Sequence, residues 1–269
     1  MKIYQIISIL VIAAMSFTSC EEIIELDLEN AEPKLVIEAN IDVTNQTATV
    51  FLTKSNGFYD DISLNVITDA TVNLTLADGS ILNLPMVSDG FYAAFGINAA
   101  EGDELVMSVV DGDEKVYEAT ENVPHEVALD SLEFIARTGG FGLGGGDADT
   151  TYQVFVHWQD VADKESFYRI RSILNDTLQT GTYSLADDIG FDGTAFSTPL
   201  FSFFETGDTV TIQILSIDDG SFRYFSDLSA AQGQGFGSTT PYNPKSNFDN
   251  NALGYFGISR TDEETVIMK

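Results

Sequence analysis

The sequence predicts an all-β fold: two β-sandwich domains, immunoglobulin-like or transthyretin-like, with one short helix in the second. Three observations carry this. Apolar residues recur at every second position over short segments, as in Leu35, Ile37, Ala39, Ile41 and Val43 set against Lys34, Glu38, Asn40 and Asp42. Turn signals such as Asp78-Gly79, Asp89-Gly90, Glu101-Gly102-Asp103 and Asp111-Gly112 separate the segments and supply the positive φ that tight hairpins need. Helical spacing is absent before residue 120 and recurs once later, at Phe222, Phe225 and Leu228.

Taken in order, the chain opens with Lys2, an apolar run from Ile6 to Phe17 and the small residues Thr18 and Ser19, which lead into the single cysteine, Cys20. A run of about 12 apolar residues falls short of the roughly 20 that span a bilayer, so residues 1–19 read as a cleaved segment. The order resembles a bacterial lipoprotein signal, which makes Cys20 the expected lipidation site. Its thiolate would take a thioether lipid, and several acyl chains (palmitate among them) would hold it, at roughly 0.8 kcal/mol per buried methylene. Glu21 and Glu22 resemble the acidic signals that send some lipoproteins to the outer face of the outer membrane.

Residues 20–32 read as an acidic tether, with six carboxylates between Glu21 and Glu32 and Pro33 at its end. Ile23-Ile24 and Leu26/Leu28 within it could still dock as a strand. Strands are then expected at 47–54, 71–77, 80–84, 90–95, 104–110 and 115–120, completing a first domain over 33–125. Pro124-His125 marks the boundary with a second domain over 126–269, which begins with a strand from Val127 to Ile135. Residues 138–149, TGGFGLGGGDAD, hold six glycines in twelve positions and read as an exposed loop. A phosphate-cradling reading fails there for want of a Lys-Ser/Thr ending and a following helix.

Further alternation runs through Tyr152, Val154, Val156 and Trp158, then Tyr168, Ile170 and Leu174, then Val210, Ile212 and Ile214. The helix is expected from about 221 to 232, with Ser221 or Asp219 capping its first turn. A polar segment from Gly233 to Leu253 follows, and two closing strands are expected at 254–260 and 264–268.

Composition narrows function. The formal charge is −30, and removal of residues 1–19 takes Lys2 with it, leaving 11 basic against 42 acidic residues and a net charge of about −31. Basic residues are scattered singly, so no phosphate-tracking cluster exists and nucleic acid is not expected as a partner. Hydrophobic residues at 44% are too many for a disordered chain. With its one cysteine given to the lipid, the folded part depends on packing rather than on an internal disulfide.

Chemistry is sparsely signalled. His125 and His157 are the only histidines and lack an HExxH or cysteine context, so no metal and no cofactor are expected. A hydrolytic carboxylate pair needs a defined separation in a cleft, which spacing along the chain does not supply. Asp111-Gly112-Asp113, Asp147-Ala148-Asp149 and Asp218-Asp219 read as turns, since none continues into a twelve-residue calcium loop ending in Glu. Asp130-Ser131-Leu132, Asp176-Thr177-Leu178 and Asp208-Thr209-Val210 match a tripeptide that resembles an O-glycosylation signal. Trp158 lies on an apolar strand face and is expected in the core, which weakens a glycan platform.

Several pieces in this order resemble one family. They are the lipidation motif, Pro33-Lys34-Leu35-Val36-Ile37-Glu38, Asp130-Ser131-Leu132, Trp158-Gln159-Asp160, Phe167-Tyr168-Arg169-Ile170, and Ser246-Asn247 running into Asn251-Ala252-Leu253-Gly254-Tyr255-Phe256. The chain looks like a lipoprotein of domain of unknown function 4249, over nearly its whole mature length. The resemblance implies an accessory role beside a TonB-dependent outer-membrane receptor. The expectation is a non-catalytic, lipid-anchored binding protein of the outer membrane, not an enzyme, with a ligand the sequence does not name. Its expected partner contacts are the aromatic and apolar residues of two Gly- and Asn-rich stretches: Phe141, Leu143, Phe236, Tyr242 and Phe248. A free-standing surface module for glycan or protein is the alternative.

Overall fold

The computed structural model describes residues 32–56, 64–137, 150–180, 183–233 and 242–269. The predicted alternation becomes a set of ladders: β1 (Leu35–Asp42), β2 (Thr47–Lys54), β3 (Asn65–Val66), β4 (Thr71–Thr75), β5 (Ile81–Leu84), β6 (Met86–Ser88), β7 (Phe91–Phe95), β8 (Glu104–Val110) and β9 (Val116–Asn122). There follow β10 (Leu129–Arg137), β11 (Thr151–Gln159), β12 (Phe167–Leu174), β13 (Thr177–Leu178), β14 (Ser184–Asp187), β15 (Ala195–Glu205), β16 (Thr209–Ile217), the helix α1 (Asp219–Ala231) and β17 (Leu253–Ile267). Among the described residues the protein is all-β, built as sandwiches with one short helix in its second half.

One ten-stranded sheet runs β13-β12-β16-β17-β1-β2-β7-β6, with β14 and β3 paired at its sides. Two small sheets, β5-β4-β8-β9 and β10-β11-β15, accompany it. Each meets the large sheet across its own core. The first core joins Ile37, Ile41, Val50 and Leu52 of the large sheet to Val72, Leu74, Leu105 and Met107 of the four-stranded one. The second joins Tyr168, Ile212 and Ile214 to Val154, Val156 and the fully buried Trp158 of the three-stranded one. Each aliphatic side chain so buried contributes roughly 1.5 to 3 kcal/mol relative to exposure.

The large sheet holds both cores because of β17. It pairs in parallel with β1, setting Ala39 opposite Phe256, and antiparallel with β16, setting Ile214 opposite Asp262. Strand side chains alternate between faces, so residues 254, 256 and 258 share a side with Ile37, Ala39 and Ile41. Phe256 and Ile258 thus enter the first core, and Met268 at the chain's end enters the second. Gly254 permits the close parallel approach: its φ is +89°, and a Cβ there would collide with the Ile37 carbonyl oxygen. Pro33–Asn56 and Asp61–Lys269 cluster as one unit. Arg260 ties the linker between the cores, its Nε donating to the Pro124 carbonyl at 3.0 Å and an Nη to Glu126 at 2.9 Å.

Both small sheets occupy one face of the large sheet. On the opposite face lie Glu38, Asn40, Asp42, Arg169, Arg171 and Tyr255, and that face carries α1.

Candidate functional site

The helix exists because Asp218 starts it. Asp218 is extended (φ −71°, ψ 163°), and its carboxylate accepts from the Ser221 backbone N–H at 2.7 Å and the Ser221 hydroxyl at 2.8 Å. The same carboxylate accepts the Ile258 N–H at 2.6 Å, so the cap also pins α1 to β17. The sequence pointed to Ser221 or Asp219 as cap; one residue earlier wins because only Asp218 is extended and faces both strand and helix. Gly257 makes room, since a Cβ there would collide with the Ser221 hydroxyl. At the far end Gly233, at φ +74°, donates to the Ala230 carbonyl at 3.1 Å and closes the helix.

Aromatic rings fix the helix over the sheet. Tyr224 stacks on Tyr255 with centroids 4.7 Å apart, Phe225 meets Tyr255 edge-on at 4.9 Å, and Phe222 stacks on Phe167 at 4.8 Å. Beside this contact runs a groove of about 510 Å3 between α1 and the sheet. Its floor comes from β1, β2, β12, β16 and β17; Tyr224, Phe225 and Leu228 line it from the helix.

Two guanidinium groups dominate the groove's chemistry. Arg169 and Arg171 sit two apart on β12, so both project from the same face. Arg169 lies with its guanidinium carbon 3.8 Å from the Phe225 ring centroid and 5.6 Å from that of Tyr183. Burial pulls its pKa down to about 10, with the neighbouring Arg171 charge acting in the same direction. Burial lowers Arg171 too, against the opposing charges of Asp42 and Glu263. Neither arginine forms an ion pair among the described residues, and the buried Nε of Arg171 has no acceptor. On the phenol side, burial and the charge of Glu38 push Tyr224 up to about 12. This pair of arginines escaped the sequence reading, which took the basic residues as scattered; the Arg-Ile-Arg alternation on a strand was the available signal.

A second polar cluster lies near the linker between the cores. Buried His125 contacts the Tyr168 hydroxyl at 3.3 Å, and Tyr168 donates to Asp160 at 2.5 Å. Burial lowers the His125 pKa and, with the Asp160 carboxylate, raises that of Tyr168. His157, by contrast, stays on the sheet surface, 3.5 Å from Glu133. Asp160, Asp188 and Asp192 bring one oxygen each within 4.8 Å of one another. Each carboxylate already fastens a loop: Asp160 accepts from Gly193 N–H at 2.8 Å, Asp188 from Ser166 N–H at 3.0 Å and Asp192 from Asp163 N–H at 2.9 Å. Asp111 acts as the turn expected, accepting from the N–H groups of Asp113 and Lys115 at 3.0 and 2.9 Å.

Of the expected partner contacts, Tyr242 is exposed and its hydroxyl lies 3.5 Å from Asp227. Phe248 is a correction: it is buried in the first core, 6.5 Å from Phe256 between centroids. The cause is Asn247, whose side chain pairs with the backbone of Phe256 at 2.7 and 2.9 Å and turns the next residue inward. Phe141, Leu143, Phe236 and Cys20 lie outside the described residues.

No curated protein matches the chain. Among solved structures, it is similar to a two-domain fibronectin type III segment of chicken tenascin at 17% identity and a TM-score of 0.23, covering 68% of this chain and 90% of that one. It is similar to the FN1–FN3 domains of chicken CNTN1 at 10% identity and a TM-score of 0.25, covering 70% and 62%. A tetra-tandem repeat from the extending region of a large adhesion protein is similar at 12% identity and a TM-score of 0.22, covering 88% and 49%. A family model, by contrast, spans nearly everything after Cys20, matching residues 21–265, and the chain belongs to that family, described as a domain of unknown function, DUF4249.

Proposed function

We propose that this protein is a lipoprotein of the outer membrane, anchored through Cys20, that works by binding rather than by catalysis. Its partner in this reading is a TonB-dependent receptor, beside which it captures or covers a substrate at the extracellular mouth. The supporting observation is the start of the family match at Glu21, directly behind the one cysteine. All of the matched chain then lies outboard of the lipid, which suits a tethered binding module. The groove under α1 supplies a pocket of ligand size, within the few hundred Å3 usual for small-molecule sites.

Mild detergent extraction of native membranes, followed by identification of what stays attached, tests the reading. Co-elution with a TonB-dependent receptor is the expected result, and a chain that always elutes alone contradicts the receptor role. The groove also favours a second reading, a free-standing surface module that holds its ligand without a receptor. Ligand binding by a chain that never co-elutes with a receptor would select it.

A further inference from the structure

We propose that the groove under α1 binds a small zwitterion, a free amino acid or short peptide, whose carboxylate bridges Arg169 and Arg171 and whose ammonium group faces Glu38. This deepens the binding role proposed above and rests on it.

The first support is an unfilled acceptor. Leaving a buried N–H without a partner is costly, so the Arg171 Nε marks a place that an acceptor would fit. The two carboxylates whose charge reaches Arg171 take their hydrogen bonds from other groups. Asp42 accepts from the Asn45 backbone N–H at 3.0 Å, the Asn45 amide at 2.8 Å and the Thr261 hydroxyl at 3.2 Å. Glu263 accepts from the Gln213 amide at 2.7 Å. A planar carboxylate matches the guanidinium fork, and two forks separated by one residue on a strand stand roughly 7 Å apart, within reach of one such group.

The second support is the sign of everything else. A chain of net charge −30 repels a simple anion at long range, so two arginines in a groove would be poorly supplied by anions alone. A zwitterion carries no net charge to repel. Glu38 lines the groove's edge, its side chain forms no hydrogen bond or ion pair among the described residues, and partial burial raises its pKa. The rings of Tyr224, Phe225 and Tyr255 provide an apolar wall for a side chain, which favours an aromatic or aliphatic residue over glycine.

Isothermal titration of the purified full chain with the dipeptide glycyl-phenylalanine, its C-terminal amide and its N-acetyl form tests this. The dipeptide should bind, and blocking either end should weaken it at least tenfold. Arg171→Gln should weaken the dipeptide at least tenfold while leaving the already weak amide unchanged. Should that variant fail to fold, Glu38→Gln, on the exposed edge, carries the test: it should weaken the dipeptide and leave the N-acetyl form unaffected. Equal binding of acid and amide, indifference to both substitutions, or no binding by any of the three overturns the proposal. Receptor co-elution is scored separately, so an empty groove and a missing receptor are told apart.

Discussion

The guanidinium carbon of Arg169 lies 3.8 Å from the centre of the Phe225 ring, so a charge from the sheet is roofed by an aromatic from the helix. The same ring meets Tyr255 at 4.9 Å and Tyr183 at 5.7 Å, which makes Phe225 the hub of the helix-to-sheet contact. Phe225→Ala should therefore cost about 3 to 5 kcal/mol, the range for a buried phenylalanine. Urea unfolding measures it. A loss below about 1 kcal/mol would mean that α1 is held by other contacts.

Asp218 joins two tasks, capping α1 and accepting from Ile258 on β17. Asp218→Ala removes both and strands buried donors, for a cost of roughly 2 to 4 kcal/mol. Ser221→Ala removes only the hydroxyl bond and should cost about 1 kcal/mol. Equilibrium denaturation of the two variants, compared side by side, checks the ratio.

Stability should fall as pH rises from 5 to 8. Burial, and then the Asp218 charge, raise the Glu121 pKa to about 7 from the ordinary 4.5. A carboxyl with a raised folded pKa binds its proton more tightly folded than unfolded, so its stabilisation is complete below about 4.5 and is lost as pH passes 7. Burial raises the Asp218 pKa as well, so it acts in the same direction. Glu121 is only partly buried, and after solvent screening its share is about 1 to 2 kcal/mol. Melting temperatures of Glu121→Gln across that range should show a flatter profile than the parent; an unchanged slope would remove Glu121 as the cause.

Gly254 and Gly79 both have φ near +80 to +90°, yet they should tolerate alanine differently. Gly79 faces open space, so Gly79→Ala pays only the left-handed backbone cost of about 1 to 2 kcal/mol. Gly254→Ala also drives a methyl into the Ile37 carbonyl at the central parallel pair, and its total should exceed about 3 kcal/mol. Chemical denaturation of the two variants reads the difference.

Period-two patterning located the strands wherever one face is core and the other wet. β2 and β8 fall on 47–54 and 104–110 as the alternation indicates. β15 lacked such a signal because Pro199 interrupts it; the strand tolerates the proline where the ladder to β11 shifts register between Gln153 and Phe155. β17 reads as two strands because its core-facing positions change from Phe256 and Ile258 to Arg260, Asp262 and Glu264 midway. There the strand leaves the first core before Met268 reaches the second. The single long sheet was illegible for the same reason: local pattern says which face is apolar, not which distant strand lies alongside. The groove was hidden likewise, since Arg169 becomes notable only once Phe225, more than fifty residues later, is folded over it.

The proposed anchorage depends most directly on acylation at Cys20. Cells given radiolabelled palmitate should yield a labelled, membrane-bound chain, and Cys20→Ser should abolish the label and release the protein from the envelope. An unlabelled parent chain, or a serine variant as firmly membrane-bound as the parent, would contradict the proposed anchorage and the receptor role built on it.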